Sequence, residues 1–573
     1  MILVSRKKID AATSRGWWGE RTLWQVFSRW ADERGTAEAV VDAPNRSEFA
    51  KGTPLRWSWE RLRSEADRLA AALLDAGLQR DDVLVAQLPN MVEQFAVYLA
   101  CARLGIIVSP VPVQYRAHEL NHILAMTQAT AAITLGRIGK THEAARMFVE
   151  LADRHPSIRS VLAWGDDLPA GVIDLQHAPA HSAELEARLA TAEATAGVTA
   201  NDVFTICWTS GTESRPKGVP RSHNQWLIAG PDIIYAAELS GHARLLNPFP
   251  MVNMAGIATG FVTLLTTGGT TVQHHPFQLP VFLQQLRDEA VHYTLAPPAL
   301  LNTLLQNEHL LEGIDFTVLR RIGSGSAPLS DWMIQGFAER FGVQIVNYFG
   351  SNEGAALTAT FADVPDPSIR ATCFPRIGVD GLEWEAPMSL RVRTRLVDLE
   401  SDQDIDQPGI PGELRFDGPA VFSGYWKDED ATRNAFDDKG FYRTGDLFEI
   451  VGDQGQYYRF LGRCKDLVVR GGMKISAEEI ENLLVSCPGV VEAAVVGVPD
   501  AILGEKLCAC VSVKPGTELD LKTLTRHLQE ECQVAVFKLP EYLLVLDTLP
   551  RNPVGKLDKK DLRARAAQLG EQT

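Results

Sequence analysis

An alternation of helical and strand-like segments constrains the fold of this chain more than any other feature. Residues 59–76 and 93–104 carry apolar side chains at helical spacing, and each segment is followed by a short apolar run, at 82–87 and at 105–108. Because two parallel strands need a crossover segment between them, this order predicts β-α-β units and a mostly parallel sheet. The strand pattern resumes after residue 200, at 204–208, 244–249, 270–273, 293–296, 320–323 and 344–348.

The pattern changes in the last third of the chain. Residues 363–412 are rich in Pro, Asp and Gly, and short alternating segments at 389–396 and 412–416 predict a small antiparallel region. From residue 463 onwards, helices and strands are predicted over roughly 110 residues, the size of a compact domain. We therefore expect an α/β fold: a large N-terminal domain of stacked αβ subdomains plus a small β-barrel-like region, with a small α+β C-terminal domain.

The charge and hydropathy of the chain argue against several classes of protein. The 72 acidic and 56 basic residues give a formal net charge of −16, and because no long basic tract is present, we expect no nucleic-acid partner. The N-terminus lacks the apolar segment of a secretory signal, and no apolar run reaches the roughly 18 residues of a membrane span. The sequence thus predicts a cytoplasmic protein without integral membrane contact.

One loop concentrates the polar groups that are suited to phosphate. The stretch Trp208-Thr-Ser-Gly-Thr-Glu-Ser-Arg-Pro-Lys-Gly218 places hydroxyls, glycines and cations directly after an apolar strand, and the chain beyond it is expected to become helical. Backbone amides, hydroxyls and a lysine at one loop can bind several negative oxygens. The loop is not a Walker A motif, because Lys217 is followed by glycine instead of serine or threonine. From these residues alone, an exposed polar surface loop stays an open alternative.

The order of residues in this loop resembles the phosphate loop of the adenylate-forming superfamily, which includes acyl-CoA synthetases, luciferases and the adenylation domains of peptide synthetases. The superfamily pattern is roughly (Tyr/Trp)-Thr-Ser-Gly-Thr-Thr-Gly-x-Pro-Lys-Gly, and this chain departs from it at Glu213 and Ser214. Further stretches resemble the superfamily in the expected order: 88–120, GSAPLS at 325–330, NYFGSNEG at 347–354, GYWKDEDATRNAFDDKGFYRTGDL at 424–447, GRCKDLVVRGGMKISAEEIE at 462–481 and PRNPVGKLDKKDLR at 550–563.

The resemblance implies a two-step reaction that uses ATP, Mg²⁺ and coenzyme A. A carboxylate attacks the α-phosphate of ATP and displaces pyrophosphate, and a thiol then attacks the acyl-adenylate and displaces AMP. The residues assigned to the nucleotide are Thr209, Ser210, Gly211, Thr212 and Lys217 for the β- and γ-phosphates, Asn352 for the α-phosphate, Phe349 for adenine, Asp446 and Arg463 for the ribose, and Ser326, Ala327, Pro328 and Gly350 for the strands that line the nucleotide. Glu353 occupies the position of the glutamate that binds Mg²⁺.

The resemblance also implies a mobile C-terminal domain. Lys556 would bridge the attacking carboxylate and the α-phosphate in the first step. The domain would then turn about a hinge at Lys465, so that Gly471 and Gly472 line a tunnel for the pantetheine thiol. The implied domains are residues 1–462, which bind acid and ATP, and residues 463–573, which move.

The acid is expected to lie near the segment 248–256 and the ends of two strands. Asn253, Gly325 and Tyr348 are the candidate residues, and Asn253 has an open alternative as a turn residue. The apolar neighbours of Asn253 favour an aryl, alicyclic or fatty acid. The absence of an aspartate from this segment disfavours an α-amino acid, whose ammonium group would need a carboxylate partner.

Three functions stay open at this point. The first is a carboxylic acid–CoA ligase, whose partners are a small acid, ATP and coenzyme A. The second is a stand-alone aryl-acid adenylating enzyme that loads a carrier protein in trans, since the chain contains no carrier domain with a Gly-x-Asp-Ser site. The third is a non-catalytic nucleotide-binding protein, which the presence of Glu353, Asp446 and Lys556 disfavours. The sequence leaves a homodimer open.

Overall fold

The structure is a computed structural model that describes residues 1–179, 182–209, 216–325, 329–470, 473–500, 502–551 and 557–570. The described chain divides into two compact units. The first comprises residues 1–209, 216–393 and 417–442, and the second comprises residues 394–416 and 443–570. The predicted boundary after residue 462 and the hinge at Lys465 stay predictions.

The first unit contains an eight-stranded sheet that is parallel except at its two edges. Its strands lie in the order Ala356–Ala359, Gln344–Gly350, Arg321–Gly325, Tyr293–Leu295, Arg244–Asn247, Thr270–Gln273, Glu38–Val41 and Arg56–Ser58. Only the outermost strand at each edge pairs antiparallel with its neighbour. The predicted mostly parallel sheet is therefore confirmed.

A seven-stranded sheet lies in the same unit. Its order is Val172–Asp174, Ser160–Trp164, Ala131–Leu135, Val83–Ala86, Ile107–Pro110, Val203–Trp208 and Gly218–Ser222. The edge strand Gly218–Ser222 contains Pro220 and pairs antiparallel with Val203–Trp208. The expectation that the chain turns helical directly after the phosphate loop was wrong, because the five residues of this strand intervene and the helix begins at His223.

Helices connect and cover these sheets. They span Arg6–Ser14, Leu23–Arg34, Trp59–Asp75, Val92–Leu104, Ala117–Thr127, Ala144–Ala152, Ala183–Ala196, His223–Leu227, Ala229–Ala236, Met254–Gly256, Thr263–Thr267, Leu279–Asp288, Pro298–Gln306, Asp331–Phe341, Pro367–Thr372 and Glu429–Ala435. A π-helix, Ile257–Val262, joins the two short helices on either side of it. No helix within the described ranges combines the length and the apolar character needed to cross a membrane.

The helix Val92–Leu104 is the centre of the core of the first unit. Every one of its residues is buried, including its charged ones, because each charged side chain has a buried partner. Arg46 pairs with Glu93, and Arg103 Nη1 lies 2.6 Å from Asp67 Oδ1. An unpaired charge in such a position costs several kcal/mol. The apolar residues of this helix belong to one cluster that includes residues of both sheets.

The second unit contains two small sheets. Four strands lie in the order Tyr457–Arg463, Tyr442–Val451, Gly412–Asp417 and Arg393–Val397. The other sheet has the order Met473–Ser476, Leu467–Arg470, Gly504–Val513 and Val490–Asp500, with Tyr542–Leu546 pairing parallel to Gly504–Val513. The helices of the second unit are Ala477–Leu484, Leu521–Arg526 and Lys559–Gly570. The predicted strand at 389–396 was partly wrong, because Pro387 begins a short 3₁₀ turn and the strand starts only at Arg393.

Strand Val490–Asp500 shows why the C-terminal segments form a compact α+β unit. Ala493 and Val495 belong to the apolar cluster of helix Ala477–Leu484, whereas Ala494 and Val496 belong to the cluster of helix Lys559–Gly570. Since successive side chains of a strand point to opposite faces, the two helices cover opposite faces of this sheet.

Candidate functional site

The predicted nucleotide-binding residues fall in both units. Nine predicted residues lie outside the described residues: Ser210, Gly211, Thr212, Ser326, Ala327, Pro328, Gly471, Gly472 and Lys556. Asp446 lies in the middle of the strand Tyr442–Val451 in the second unit, whereas the assigned residues of the first unit lie at strand ends or in the turns beside them. In open α/β sheets, ligands bind at the carboxyl ends of the strands, so this placement suits a binding site.

The two ends of the predicted phosphate loop are hydrogen-bonded to each other. The Thr209 amide donates to the Lys217 carbonyl oxygen at 3.0 Å, and the Lys217 amide donates to Thr209 Oγ1 at 3.1 Å. These bonds continue the antiparallel pairing of Trp208 with Gly218. The two ends of the loop therefore meet at one point of the first unit, where the antiparallel strands Val203–Trp208 and Gly218–Ser222 end their pairing.

A lysine, a tyrosine and a glutamate lie together beside this loop. Lys217 Nζ is 4.8 Å from the centre of the Tyr425 ring, and the Tyr425 hydroxyl donates to Glu353 Oε1 at 2.9 Å. Burial, and then the charge of Glu353, raise the pKa of Tyr425, so this hydroxyl keeps its proton. Sequence reasoning assigned roles to Lys217 and Glu353 but none to Tyr425, although Tyr425 lies in the quoted GYWKDED stretch.

The turn that carries Glu353 packs tightly against residues 420–425. Glu353 is buried, and its carbonyl oxygen accepts a hydrogen bond from the Phe422 amide at 2.8 Å. Gly354 has φ +94°, and a Cβ atom at that position would lie 2.0 Å from the Ala420 carbonyl oxygen. Only glycine fits both the backbone conformation and the space, so residue 354 fixes where the Glu353 carboxylate points.

Asn352 and Arg221 hold the same turn from the other side. Asn352 Nδ2 donates to the Trp208 carbonyl at 3.1 Å, and Asn352 Oδ1 accepts from the Met254 amide at 2.8 Å. Arg221 Nη1 donates to the Asn352 carbonyl at 3.1 Å. Arg221 is fully buried, and burial lowers its pKa to about 10. No sequence motif pointed to Arg221, because its partners are main-chain carbonyls that only the fold brings close.

Gly325 and Tyr348 are paired near the ends of two neighbouring strands of the first unit, and Asn253 lies directly before a short helix. Asn253 Oδ1 accepts from the Gly256 amide at 3.2 Å and so caps a helix, which agrees with the alternative of a turn residue. The Tyr293 hydroxyl lies 3.0 Å from the Tyr348 hydroxyl. A Cβ atom at Gly325 would lie 2.3 Å from the Tyr348 carbonyl oxygen, so the strands pack closely there. The roles of these residues in binding the acid stay predictions.

Phe349 and Gly350 end the strand that leads to Asn352. Phe349 is half-buried, and its ring centre is 6.2 Å from that of Phe374. A half-buried ring keeps part of its surface for contact with an adenine base, as the predicted role requires. Gly350 is exposed.

The second unit brings Asp446 and Arg463 together. They are paired across two antiparallel strands, and Arg463 Nε lies 2.8 Å from Asp446 Oδ1. The Asp446 amide donates to Thr444 Oγ1 at 3.0 Å. Asp446 is buried, whereas half of the Arg463 side chain is exposed. A carboxylate held by an arginine offers acceptor oxygens in a fixed orientation, which suits a vicinal diol.

An acidic cluster lies close to this pair in the second unit. Glu478 is largely buried near Glu481, Asp446 and Asp466, with Lys559 as the neighbouring cation. Burial, and then Glu481, raise the pKa of Glu478 to about 8. Lys465 lies in the short turn Cys464–Asp466, and its carbonyl oxygen accepts from Arg563 Nη2 at 3.5 Å.

The matches to known families come from both parts of the chain. The sequence model of the AMP-binding enzyme family matches residues 27–426. The chain belongs to this family. The sequence model of the AMP-binding enzyme C-terminal domain matches residues 479–556. The predicted membership of the adenylate-forming superfamily is therefore confirmed.

Relatives and solved structures agree with this assignment along nearly the whole chain. The 2-hydroxy-7-methoxy-5-methyl-1-naphthoate–CoA ligase of Streptomyces carzinostaticus is 31% identical, over 98% of this chain and 96% of that protein. A salicylyl-CoA synthase / salicylate adenylyltransferase of a Streptomyces species is 32% identical, over 97% of this chain and 96% of that protein. The ATP-bound MatB of Rhodopseudomonas palustris superposes with a TM-score of 0.76 at 25% identity, over 96% of this chain and 100% of that one. The α/β fold of this AMP-binding enzyme is thereby confirmed.

We expect Gly354→Ala to destabilise the first unit by roughly 2–5 kcal/mol, because the new Cβ meets the Ala420 carbonyl and the backbone is strained. All twelve tryptophans lie in this unit, so urea unfolding followed by tryptophan fluorescence reports its stability. Gly342→Ala is the matched control: Gly342 also has a positive φ, but a Cβ there would meet nothing within 4 Å. It should cost only about 1 kcal/mol. Equal losses for both variants would contradict the tight packing of residue 354.

We expect Glu478→Gln to stabilise the protein at high pH. The pKa of Glu478 is raised in the fold, so unfolding releases its proton, and the native state loses stability as the pH rises from about 4.5 to about 8. Glutamine removes this loss, so the gain should grow with pH and reach roughly 2–4 kcal/mol at pH 9. Calorimetric unfolding of the full chain between pH 5.5 and pH 9 measures it, with the exposed Glu518→Gln as control. A gain that does not change with pH would show that the cause is not this carboxyl group.

Proposed function

We propose that this protein is an ATP-dependent carboxylic acid–CoA ligase. It converts an acid and ATP to acyl-AMP and pyrophosphate, and then converts acyl-AMP and coenzyme A to acyl-CoA and AMP. The observation that supports the proposal most directly is the group Lys217, Tyr425 and Glu353. It lies beside the hydrogen-bonded ends of the phosphate loop, in a chain of the AMP-binding enzyme family. This group supplies a cation and a carboxylate where a magnesium-bound triphosphate needs both.

Lys217 supplies the positive charge in this proposal. The face of the Tyr425 ring attracts its ammonium group and holds it near the mouth of the loop. There the lysine stabilises the negative charge that develops on the pyrophosphate as it leaves, which is how preorganised cations lower the barrier to phosphoryl-group displacement. Thr209, at the other end of the loop, adds a hydroxyl beside Lys217.

Glu353 suits a magnesium ion that enters with the nucleotide. Mg²⁺ commonly binds through one or two carboxylates plus substrate phosphates, and it neutralises phosphate charge when bound. Within the described residues, no cluster of three or more His, Cys, Asp and Glu side chains could hold a metal ion by itself. Tyr425 donates to one oxygen of Glu353 and thereby orients the carboxylate.

Asp446 and Arg463 are proposed to bind the ribose. The ionised carboxylate would accept hydrogen bonds from both ribose hydroxyls, and Arg463, half-exposed, would add a donor. Lys556 is proposed to bridge the acid and the α-phosphate, and Gly471 and Gly472 to line the path of the thiol after rotation about Lys465. These last assignments rest on the sequence motifs alone.

The acid is proposed to be aromatic. The relatives named above, a naphthoate–CoA ligase and a salicylyl-CoA synthase, are 31% and 32% identical to this chain. A medium-chain fatty-acid–CoA ligase of Escherichia coli is 27% identical over 99% of this chain, so the higher identities favour an aryl acid over a fatty one. The Tyr293–Tyr348 hydroxyl pair adds a polar group among apolar neighbours. The second of these relatives is also named an adenylyltransferase, so loading of a carrier protein in trans is the second candidate function.

Pyrophosphate release tests the proposal. We expect release from ATP and Mg²⁺ to depend on an added acid, and to be fastest with an aryl acid from a panel of benzoate, salicylate, 2-hydroxy-1-naphthoate, cyclohexanecarboxylate and octanoate. Addition of coenzyme A should then give a thioester detectable by mass spectrometry. Acid-dependent release without thioester would favour carrier loading, and background release with every acid would favour a non-catalytic nucleotide-binding protein.

Lys556→Ala separates the two half-reactions. We expect it to lower acyl-adenylate formation by about 10²-fold or more, because the cation that aligns two anions is lost. Thioester formation from supplied acyl-adenylate and coenzyme A should change little. Lys560→Ala is the control, since Lys560 lies in the nearby helix Lys559–Gly570 and is exposed. Equal loss of both half-reactions would contradict a lysine that acts only in the first step.

A further inference from the structure

The carboxamide of Asn352 is hydrogen-bonded to two segments that are predicted to bind different substrates. Its nitrogen donates to the carbonyl of Trp208, the residue directly before Thr209 of the phosphate loop. Its oxygen accepts from the amide of Met254, the residue directly after Asn253 of the acid segment. The donor atom and the acceptor atom of one short side chain thus each have a partner in a different segment.

The hydrogen bonds of the Asn352 carboxamide connect the two sheets of the first unit. Trp208 is the last residue of a strand in the seven-stranded sheet. Asn352 follows the strand Gln344–Gly350 of the eight-stranded sheet, and Met254 begins the helix after the strand Arg244–Asn247 of that sheet. The carboxamide therefore joins the carboxyl ends of strands from both sheets.

Asn352 cannot turn freely about this contact. Arg221 donates to its carbonyl, and Gly354 is held against Ala420 on the C-terminal side. On the N-terminal side, the Ser351 amide donates to the Ala355 carbonyl oxygen at 2.9 Å. Hydrogen bonds inside a protein are stronger than those in water, because the local dielectric constant is low. The Trp208 carbonyl and the Met254 amide are thus connected through the amide plane of a single residue.

We propose that Asn352 is a positioning residue that couples nucleotide binding at the Thr209–Lys217 loop to the order of the acid segment at Met254. The proposal rests on the proposed function, because it takes the loop as the ATP site. It goes further, because it assigns the Asn352 carboxamide to communication between two substrates. When ATP binds at the loop, the hydrogen bond from the Met254 amide to Asn352 opens less often, and the acid segment is ordered before the acid binds.

Hydrogen exchange tests the coupling with Mg²⁺ and ATP as the only ligands. In the unchanged protein, Mg²⁺–ATP should slow hydrogen exchange in a peptide that covers residues 216–222. It should also slow exchange of the Met254 amide by at least about fivefold, since coupling energies of 1–3 kcal/mol correspond to about 5- to 150-fold effects. Asn352→Asp keeps an oxygen for the Met254 amide but loses the donor to Trp208. Because Asn352 is also assigned to the α-phosphate, ATP is added to this variant until the protection of residues 216–222 is saturated. At that concentration Met254 should remain unprotected.

The controls separate coupling from general damage. Asn307→Asp makes the same chemical change at an exposed helix end of the same unit and should behave like the unchanged protein. Asn352→Leu removes both hydrogen bonds and should leave Met254 in fast exchange with and without ATP. The inference would be overturned if ATP still protected the Met254 amide in Asn352→Asp. It would also be overturned if ATP protected only residues 216–222, and not Met254, in the unchanged protein. ATP that protects neither segment would contradict the proposed function itself.

Discussion

The carbonyl oxygen of Ala420 leaves no room for a side chain at residue 354, and the candidate phosphate site depends on this contact. The contact fixes the turn 352–354, which carries Asn352 on one side and Glu353 on the other. Glu353 can accept the Tyr425 hydroxyl only because this turn lies against residues 420–425. The arrangement of Lys217, Tyr425 and Glu353 thus follows from close packing of backbone on backbone, with glycine as the residue that permits it.

The electrostatics of the first unit show how an acidic protein places cations beside its candidate phosphate site. The chain has a formal net charge of −16, yet Lys217 and the fully buried Arg221 both lie within one short segment beside the turn. Arg221 donates to main-chain carbonyls and has no carboxylate within ion-pair distance among the described residues. A buried cation of this kind is costly to keep, and such groups are often retained for function rather than for stability.

The sequence predicted the positions of helices and strands along the chain better than it predicted the contacts between side chains. The helix at 59–76 and the strand at 270–273 follow from apolar spacing, which reports burial directly, and the structure places both within a residue. Asp446 and Arg463 were assigned to the ribose from two separate motifs, and the register of two strands brings them together. The role of Tyr425 and the buried position of Arg221 could not be predicted, because their partners are distant in sequence and are chosen by the packing of whole elements.

The proline in the edge strand of the seven-stranded sheet has a consequence for self-association. Strand Gly218–Ser222 is outermost, and such edges invite a strand from another molecule. Pro220 has no amide hydrogen to offer an incoming chain, so this margin is a poor template for intermolecular β-pairing. All five residues of this strand are also buried, so the proline and the burial together disfavour aggregation at this margin beside the loop.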